Sequence, residues 1–159
     1  MIEFRDLTMA DATSVQRVYS GASVRFTTGE ALTSVKARAK VANILAHARA
    51  VPREHWCFGV TVTGDLIGLV KLRYRTRVAA SISYILREDT WGNGYATDAV
   101  KQLVSFAFTT LGLALLTAEH HPHNPASGRV LAKSGFTCTG LGDGFVTYEF
   151  TRPVHNRFH

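Results

Sequence analysis

Between residues 89 and 96 the chain reads Asp89-Thr90-Trp91-Gly92-Asn93-Gly94-Tyr95-Ala96, two glycines set just ahead of an amphipathic helical pattern. Glycine accepts tight, left-handed turns and lets the backbone come close to a ligand. The first turn of a helix carries N–H groups with no intrahelical acceptor, and the macrodipole concentrates positive charge there. A strand, a glycine turn and a helix start therefore make an anion site, typically for phosphate. Ordinary strand-to-helix turns share these features, so the turn alone does not decide its ligand. It is neither GxxxxGK[ST] nor GxGxxG, which excludes the nucleotide-triphosphate loop and the dinucleotide fingerprint.

A second group lies downstream, in Asn124-Pro125-Ala126-Ser127-Gly128-Arg129-Val130-Leu131-Ala132-Lys133-Ser134-Gly135-Phe136. Asn124 and Ser127 are natural helix N-caps, and Lys133 in the last turn suits the helix dipole. Just before them, Glu119 closes a short apolar strand and is followed by His120, His121 and His123. A carboxylate acting through water, or an imidazole with its ordinary pKa near 6.5, could serve as a general base. The same residues read equally well as a solvated loop. Three crowded histidines without carboxylate or cysteine spacing make a poor metal set. Tyr148 and Glu149, on the last strand, could also reach a substrate.

The elements that must hold these residues follow from periodicity. Ile2–Leu7 alternates as a half-buried strand, and Thr8 or Asp11 caps a short helix carrying Ala12, Val15, Val18 and Tyr19. Gly21–Gly29 is irregular. Ser34–Ala50 reads as a helix with Val35, Ala39, Ala42 and Ala46 on its apolar side and a basic opposite side, ended by Pro52. Strands follow at Trp56–Val62, Leu66–Tyr74 and Ala80–Leu86, the first two joined by the hairpin turn Thr63-Gly64-Asp65. The longest helix runs over Tyr95–Leu111, with Ala96, Ala99, Val100, Leu103 and Ala107 inward. Leu113–Glu119 is a short buried strand and Pro125–Ser134 a helix stopped by Gly135. Thr137–Leu141 and Phe145–Thr151 close the chain as a hairpin. Strands and helices in this order give a mixed sheet with helices packed on it.

At 159 residues, 46% hydrophobic and 19% charged, the chain has the size and composition of one domain with its own core. Disordered, collagen-like and disulfide-scaffold classes are excluded. The domain is expected over residues 1–152, with a short tail at 153–159. The longest apolar runs are far below the roughly 18 residues of a membrane span, and the first residues lack the pattern of a signal peptide, so a cytoplasmic location is expected. Cys57 and Cys138 both read as buried thiols. Eighteen Lys and Arg against twelve Asp and Glu leave a net charge of +6, which favours an anionic partner without naming it.

In order and context the two glycine- and asparagine-led stretches resemble the GNAT superfamily of N-acetyltransferases. They are most similar to its Rim-type branch, which includes the acetyltransferases of ribosomal-protein N-termini. The family's acyl-CoA loop, (Q/R)-x-x-G-x-(G/A), is matched by Trp91-Gly92-Asn93-Gly94-Tyr95-Ala96, followed by Thr97-Asp98-Ala99. The branch's second signature is matched by Asn124, Ser127, Val130-Leu131, Lys133, Gly135 and Phe136. Trp91 replaces the usual Gln or Arg, and Ala132 stands where an acidic residue is common. The likeness is specific over Ile82–Phe136 and weakest across Ser20–Arg53.

The resemblance implies an α/β (α+β) fold, a mixed, mostly antiparallel sheet of six to seven strands with a splayed central strand pair and flanking helices. It implies acetyl-CoA as cofactor, and no metal. Gly92, Asn93, Gly94 and Ala96 would offer N–H groups to the pyrophosphate, with Trp91, Tyr95, Thr97 and Lys133 completing the binding set. Tyr84, Ile85 and Leu86 would meet the pantetheine as strand edges. Asn124 would hold the pantetheine and Ser127 would lie near the thioester sulfur, these two and Glu119 forming the catalytic set. The implied reaction is acetyl transfer to a primary amine by direct attack. An α-amine, with its lower pKa, asks less of a base than a lysine does. The acceptor is then a protein N-terminus or a small molecule such as an antibiotic or amino-acid derivative. Monomer and homodimer both fit, no membrane partner is implied, and the basic helix lacks the aromatics of a nucleic-acid site. A non-catalytic acyl-CoA-binding module is the rival from another class.

Overall fold

Alternating apolar residues and positive-φ turns build most of the sheet. A computed structural model describes residues 1–154. The chain runs β1 (Ile2–Arg5), α1 (Ala12–Val18), α2 (Ser34–Arg49), β2 (His55–Val62), β3 (Asp65–Tyr74), β4 (Ala79–Leu86), α3 (Tyr95–Ser105), β5 (Leu115–His120), α4 (Pro125–Lys133), β6 (Thr137–Gly142) and β7 (Phe145–Thr151). One seven-stranded sheet results, in the order β1-β2-β3-β4-β5-β7-β6. Every neighbouring pair is antiparallel except β4–β5. The expected fold class and strand count are met.

Two cores lie on the two faces. On one, α1 and α2 cover Leu66, Leu69 and Ile85 with Val15, Val18, Tyr19 and Val41. On the other, Val100, Leu103 and Leu131 of α3 and α4 pack with Val70, Leu72, Ile82 and Leu116. Along β4, Ala80, Ile82 and Leu86 enter the α3/α4 core and Ile85 the α1/α2 core.

The parallel pair decides the architecture of the site. β4 and β5 pair only over Ala79–Ser81 with Leu115–Thr117. Beyond that, β4 stays on β3 as far as Leu86, and β5 stays on β7 as far as His120. The sheet therefore opens as a V whose vertex is at Ser81 and Thr117. The expected splay is present.

Several local expectations change. The first strand stops at Arg5, because Asp11 draws the chain away from the sheet by accepting from the Arg5 guanidinium at 2.7 and 2.9 Å and from the Thr8 N–H at 2.7 Å. In α2 the buried positions are Ala37 and Val41, flanked by Ile44 and Leu45, whereas Val35 is 74% exposed. Burying a valine, an isoleucine and a leucine removes more apolar area than the alanine stripe read from sequence. The long helix leaves α geometry at Phe106, and Phe106–Thr110 forms a π-turn in which the Leu111 N–H donates to the Phe106 carbonyl at 3.2 Å. The wider turn accompanies the seating of two rings, Phe106 on Trp56 and Phe58, and Phe108 on Phe150. Cys138 is exposed on the edge strand β6 instead of buried, because β6 pairs on one side only and presents most of its residues to solvent. Of the tail expected at 153–159, residues 155–159 lie outside the described part of the chain.

Candidate active site

The turn after β4 is built before any ligand arrives. The Leu86 carbonyl accepts from the Ser23 hydroxyl at 2.5 Å and from the Trp91 indole N–H at 3.1 Å. In the 3-10 turn Glu88–Thr90 the Thr90 hydroxyl donates to the Arg87 carbonyl at 2.6 Å, and the Asn93 amide donates to the Thr90 carbonyl at 2.9 Å. Arg87 is held between Asp65 at 2.9 Å and Asp89 at 2.6 Å, and these carboxylates raise its pKa further, so its charge is already matched. Side-chain bonds of this kind fix the loop from beneath.

Above, the loop is open. Gly92 and Gly94 take φ of 82° and 77°, the left-handed region where glycine has no penalty. A Cβ added at either would meet nothing within 4 Å. The Asp98 N–H is the first of α3 to find a helical acceptor, the Gly94 carbonyl at 3.1 Å. The N–H groups of Gly92, Asn93, Gly94, Tyr95, Ala96 and Thr97 find no acceptor among the described residues. Six unpaired donors in sequence at the positive end of an 11-residue helix suit an anion of several oxygens.

A cleft of about 1320 Å³ runs from this turn through the V and out across the other face of the sheet. Past Ser81, the edge of β4 that faces β5 has no strand partner, leaving main-chain groups of Ile82–Leu86 for an extended ligand. Ile85 and Leu86 are buried strand residues, the first in the α1/α2 core and the second in the α3/α4 core.

Tyr84 reaches from β4 across the V to α4, where its phenol donates to the Ser127 hydroxyl at 3.2 Å. Burial pushes the Tyr84 pKa up, against the smaller opposing effect of Ser127, so the phenol keeps its proton at neutral pH. Asn124 stands at the N-cap of α4, yet its side chain makes no capping bond. The Ser127 N–H bonds instead to the Asn124 main-chain carbonyl at 3.2 Å. The Asn124 amide thus remains available on the cleft wall, and Lys133, at the other end of α4, lines the same cleft.

Glu119 is exposed on β5 and also lines the cleft, but from the opposite side of the sheet. Its neighbour His120 turns towards α4, 8% exposed, with Nε2 at 3.2 Å from the Tyr148 hydroxyl and Nδ1 at 2.8 Å from the His121 carbonyl. The structure therefore brings Tyr84, Ser127 and Asn124 together on one side of the V, and Glu119 stands on the other. His121 and His123 pack ring to ring, and among the described residues no group of three His, Cys, Asp or Glu is arranged to hold a metal.

Sequence reasoning missed the inward turn of His120. Leu116, Ala118 and His120 alternate on the buried side, and that alternation was the available signal. It also treated Tyr84 only as strand backbone, whereas its side chain spans the gap.

The acetyltransferase (GNAT) domain family matches residues 2–137. The chain belongs to the GNAT acetyltransferase family. Among curated proteins it is similar to the uncharacterized N-acetyltransferase YoaA of Bacillus subtilis, 35% identical over 82 residues, which are 50% of this chain and 46% of YoaA. The chain spans about half the length of that relative. Among solved structures, Mycobacterium smegmatis RimJ in complex with CoA-disulfide superposes with a TM-score of 0.79 at 22% identity, covering 95% of this chain and 82% of RimJ. The aminoglycoside acetyltransferase AAC(6')-Ib in complex with coenzyme A gives 0.79 at 18%, covering 96% of this chain and 95% of that one. At these identities the two structures establish a shared GNAT fold. No helix among the described residues is long and apolar enough to cross a membrane.

Proposed function

We propose that this GNAT chain transfers an acetyl group from acetyl-CoA to a primary amine by direct attack in a ternary complex. The observation that carries the reading is a continuity: six unpaired N–H groups at the start of α3 lead along an unpaired β4 edge to the Tyr84–Ser127 pair. In this reading Gly92, Asn93, Gly94, Tyr95, Ala96 and Thr97 hold the diphosphate, with Trp91 and Lys133 at its margins. Tyr84, Ile85 and Leu86 offer strand groups to the pantetheine, and Asn124 holds it from α4. Bound there, acetyl-CoA supplies an activated thioester.

The chain's own groups do the rest. Glu119, on the acceptor side of the V, takes a proton from the attacking amine through water. Ser127 gives a hydrogen bond to the departing sulfur, while Tyr84, kept protonated by burial, donates to Ser127 and frees its O–H for that task. A thiol of ordinary pKa near 8.5 is a good leaving group, so this help is secondary to positioning. The acceptor in this reading is a protein N-terminal α-amine or a small-molecule amine, the second being the kind of acceptor in the name of the aminoglycoside acetyltransferase AAC(6')-Ib, which shares the fold. Both thiols are free, which suits a cytoplasmic setting.

Thiol release from acetyl-CoA against a panel of peptides, polyamines and aminated antibiotics tests the reading. Amine-dependent release is expected. The pair Ser127→Ala and Glu119→Gln should lose turnover while keeping coenzyme A affinity. Coenzyme A binding without release for any amine would make the chain a binding module instead.

A further inference from the structure

We propose that the acceptor amine carries an anionic group, a carboxylate or phosphate, read by Lys40, Lys71 and Arg73 at the closed end of the cleft; this rests on the acetyltransferase reading and narrows its substrate class. Arg73 lies in register with Ser81 on β4 and with His55 on β2, so the cluster stands beside the vertex of the V. It lies on the α1/α2 face: the Lys71 ammonium donates to the Tyr19 hydroxyl at 2.8 Å. The Lys40 ammonium is 4.7 Å from the centre of the Tyr19 ring and that of Lys71 5.5 Å, so two cations converge on one buried phenol. From Ser81 to Leu86 the strand spans about 17 Å, which separates this cluster from the diphosphate turn.

Among the described residues no carboxylate oxygen lies within 4 Å of these cations' nitrogens. Among the described residues the ion pairs are Arg5–Asp11, Arg87–Asp65 and Arg87–Asp89, none of them at this end of the cleft. Seven lysines and arginines line the cleft against two glutamates, Glu119 and Glu149. The field is felt by neighbours: His55, stacked on His47 with ring centres 4.0 Å apart, has its pKa lowered by burial first, then by His47 and Arg73, with Glu54 opposing and Arg75 adding the least. Lys40 and Lys71 are half-buried and Arg73 is exposed, and cations half out of water favour a ligand that supplies the opposite charge.

An anionic tail on the acceptor pairs with these cations and fixes the acceptor in the cleft; the pairing cancels their field, so proton removal from the amine stays with Glu119. Polycations such as aminoglycosides are repelled from this floor.

Matched acceptors test the proposal: phosphoethanolamine against ethanolamine, and glutamate against its diamide, with kanamycin as the polycation. Thiol release gives kcat/KM, and calorimetry gives binding of each amine to the coenzyme A complex. The anionic member of each pair should exceed its neutral partner at least tenfold, with kanamycin weakest; the two pairs separate phosphate from carboxylate. Arg73→Gln, at an exposed position, and Lys71→Met, which keeps the apolar stem, should each pull the anionic-to-neutral ratio down several-fold. Equal or better use of neutral or cationic acceptors overturns the proposal, as does a ratio that neither substitution moves. If no amine is turned over, the transferase reading fails, and the calorimetric ratio still decides this one: preference for the anionic amine that Arg73→Gln weakens upholds an anion site, and equal binding overturns it.

Discussion

Replacing Gly128 with alanine sets two effects of opposite sign against each other. In the interior of a helix, Gly→Ala ordinarily stabilises by about 1 kcal/mol. Here the added Cβ would lie 2.7 Å from the Tyr148 hydroxyl and 2.8 Å from His120 Nε2. Both side chains are buried, at 9% and 8% exposure, and bonded to each other, so neither can swing aside. Restoring an ordinary contact of 3.4 Å means lifting α4 by about 0.7 Å. Overpacking of this kind costs about 1–3 kcal/mol, and the net loss should be about 0–2 kcal/mol after the propensity gain. At about 2–4 °C per kcal/mol for a chain of this size, the melting temperature should fall by up to about 8 °C. The same lift stretches the 3.2 Å Tyr84–Ser127 bond past bonding distance, so turnover should fall as well. Thermal melts of Gly128→Ala, Tyr148→Phe and the double variant read the effect directly. Removing the Tyr148 oxygen should relieve part of the clash, a coupling of at least about 0.5 kcal/mol. A rise in melting temperature for Gly128→Ala, as at an open helix site, refutes the packing argument.

Three further outcomes are expected. Ser127→Ala and Tyr84→Phe should each lower kcat severalfold with little change in melting temperature, and the double variant should lose less than the product, since the two hydroxyls act in series; this is read by steady-state thiol release. Asp11→Asn should cost about 1–2 kcal/mol at pH 7, the value being modest because the Arg5 half of the pair is exposed to solvent. Arg5 holds the Asp11 carboxylate below its ordinary pKa of 3.8, so the pair stabilises the fold above that value and loses its effect as pH falls beneath it; denaturant melts of both proteins should converge once the pH is low enough to protonate Asp11 in the folded state. Cys138 should react with a thiol reagent in the native protein, whereas Cys57, buried and pushed up to about 11, should react only after unfolding, giving one titratable thiol and then two.

The elements that carry the candidate site were legible because their signals are local. Gly92 and Gly94 ahead of the Ala99, Val100, Leu103 spacing mark a turn and an amphipathic helix within a few residues. Thr63-Gly64 marks a hairpin in the same way, and both take positive φ. What was not legible depends on tertiary partners. The inward face of α2 is chosen by competition between Val41, Ile44 and Leu45 and the alanine stripe, which only the sheet beneath can settle. The π-turn at Phe106 goes with rings from β2 and β7, some 50 and 40 residues away in the chain. Cys138 looks like a strand-interior residue until the strand order puts β6 at the edge. The basic floor combines Lys40 of α2 with Lys71 and Arg73 of β3, and no spacing in the sequence joins them. Tyr84 and Ser127 likewise meet only because the V brings α4 over β4.

The central claim is that main-chain donors at the start of α3 grip a diphosphate. Amide resonances followed during titration with coenzyme A test it without any substitution. The largest downfield shifts of the N–H protons should fall on Gly92, Asn93, Gly94, Tyr95, Ala96 and Thr97, and Gly94→Glu should abolish them together with binding. Saturable coenzyme A binding that leaves those six amides in place and moves others would contradict the account.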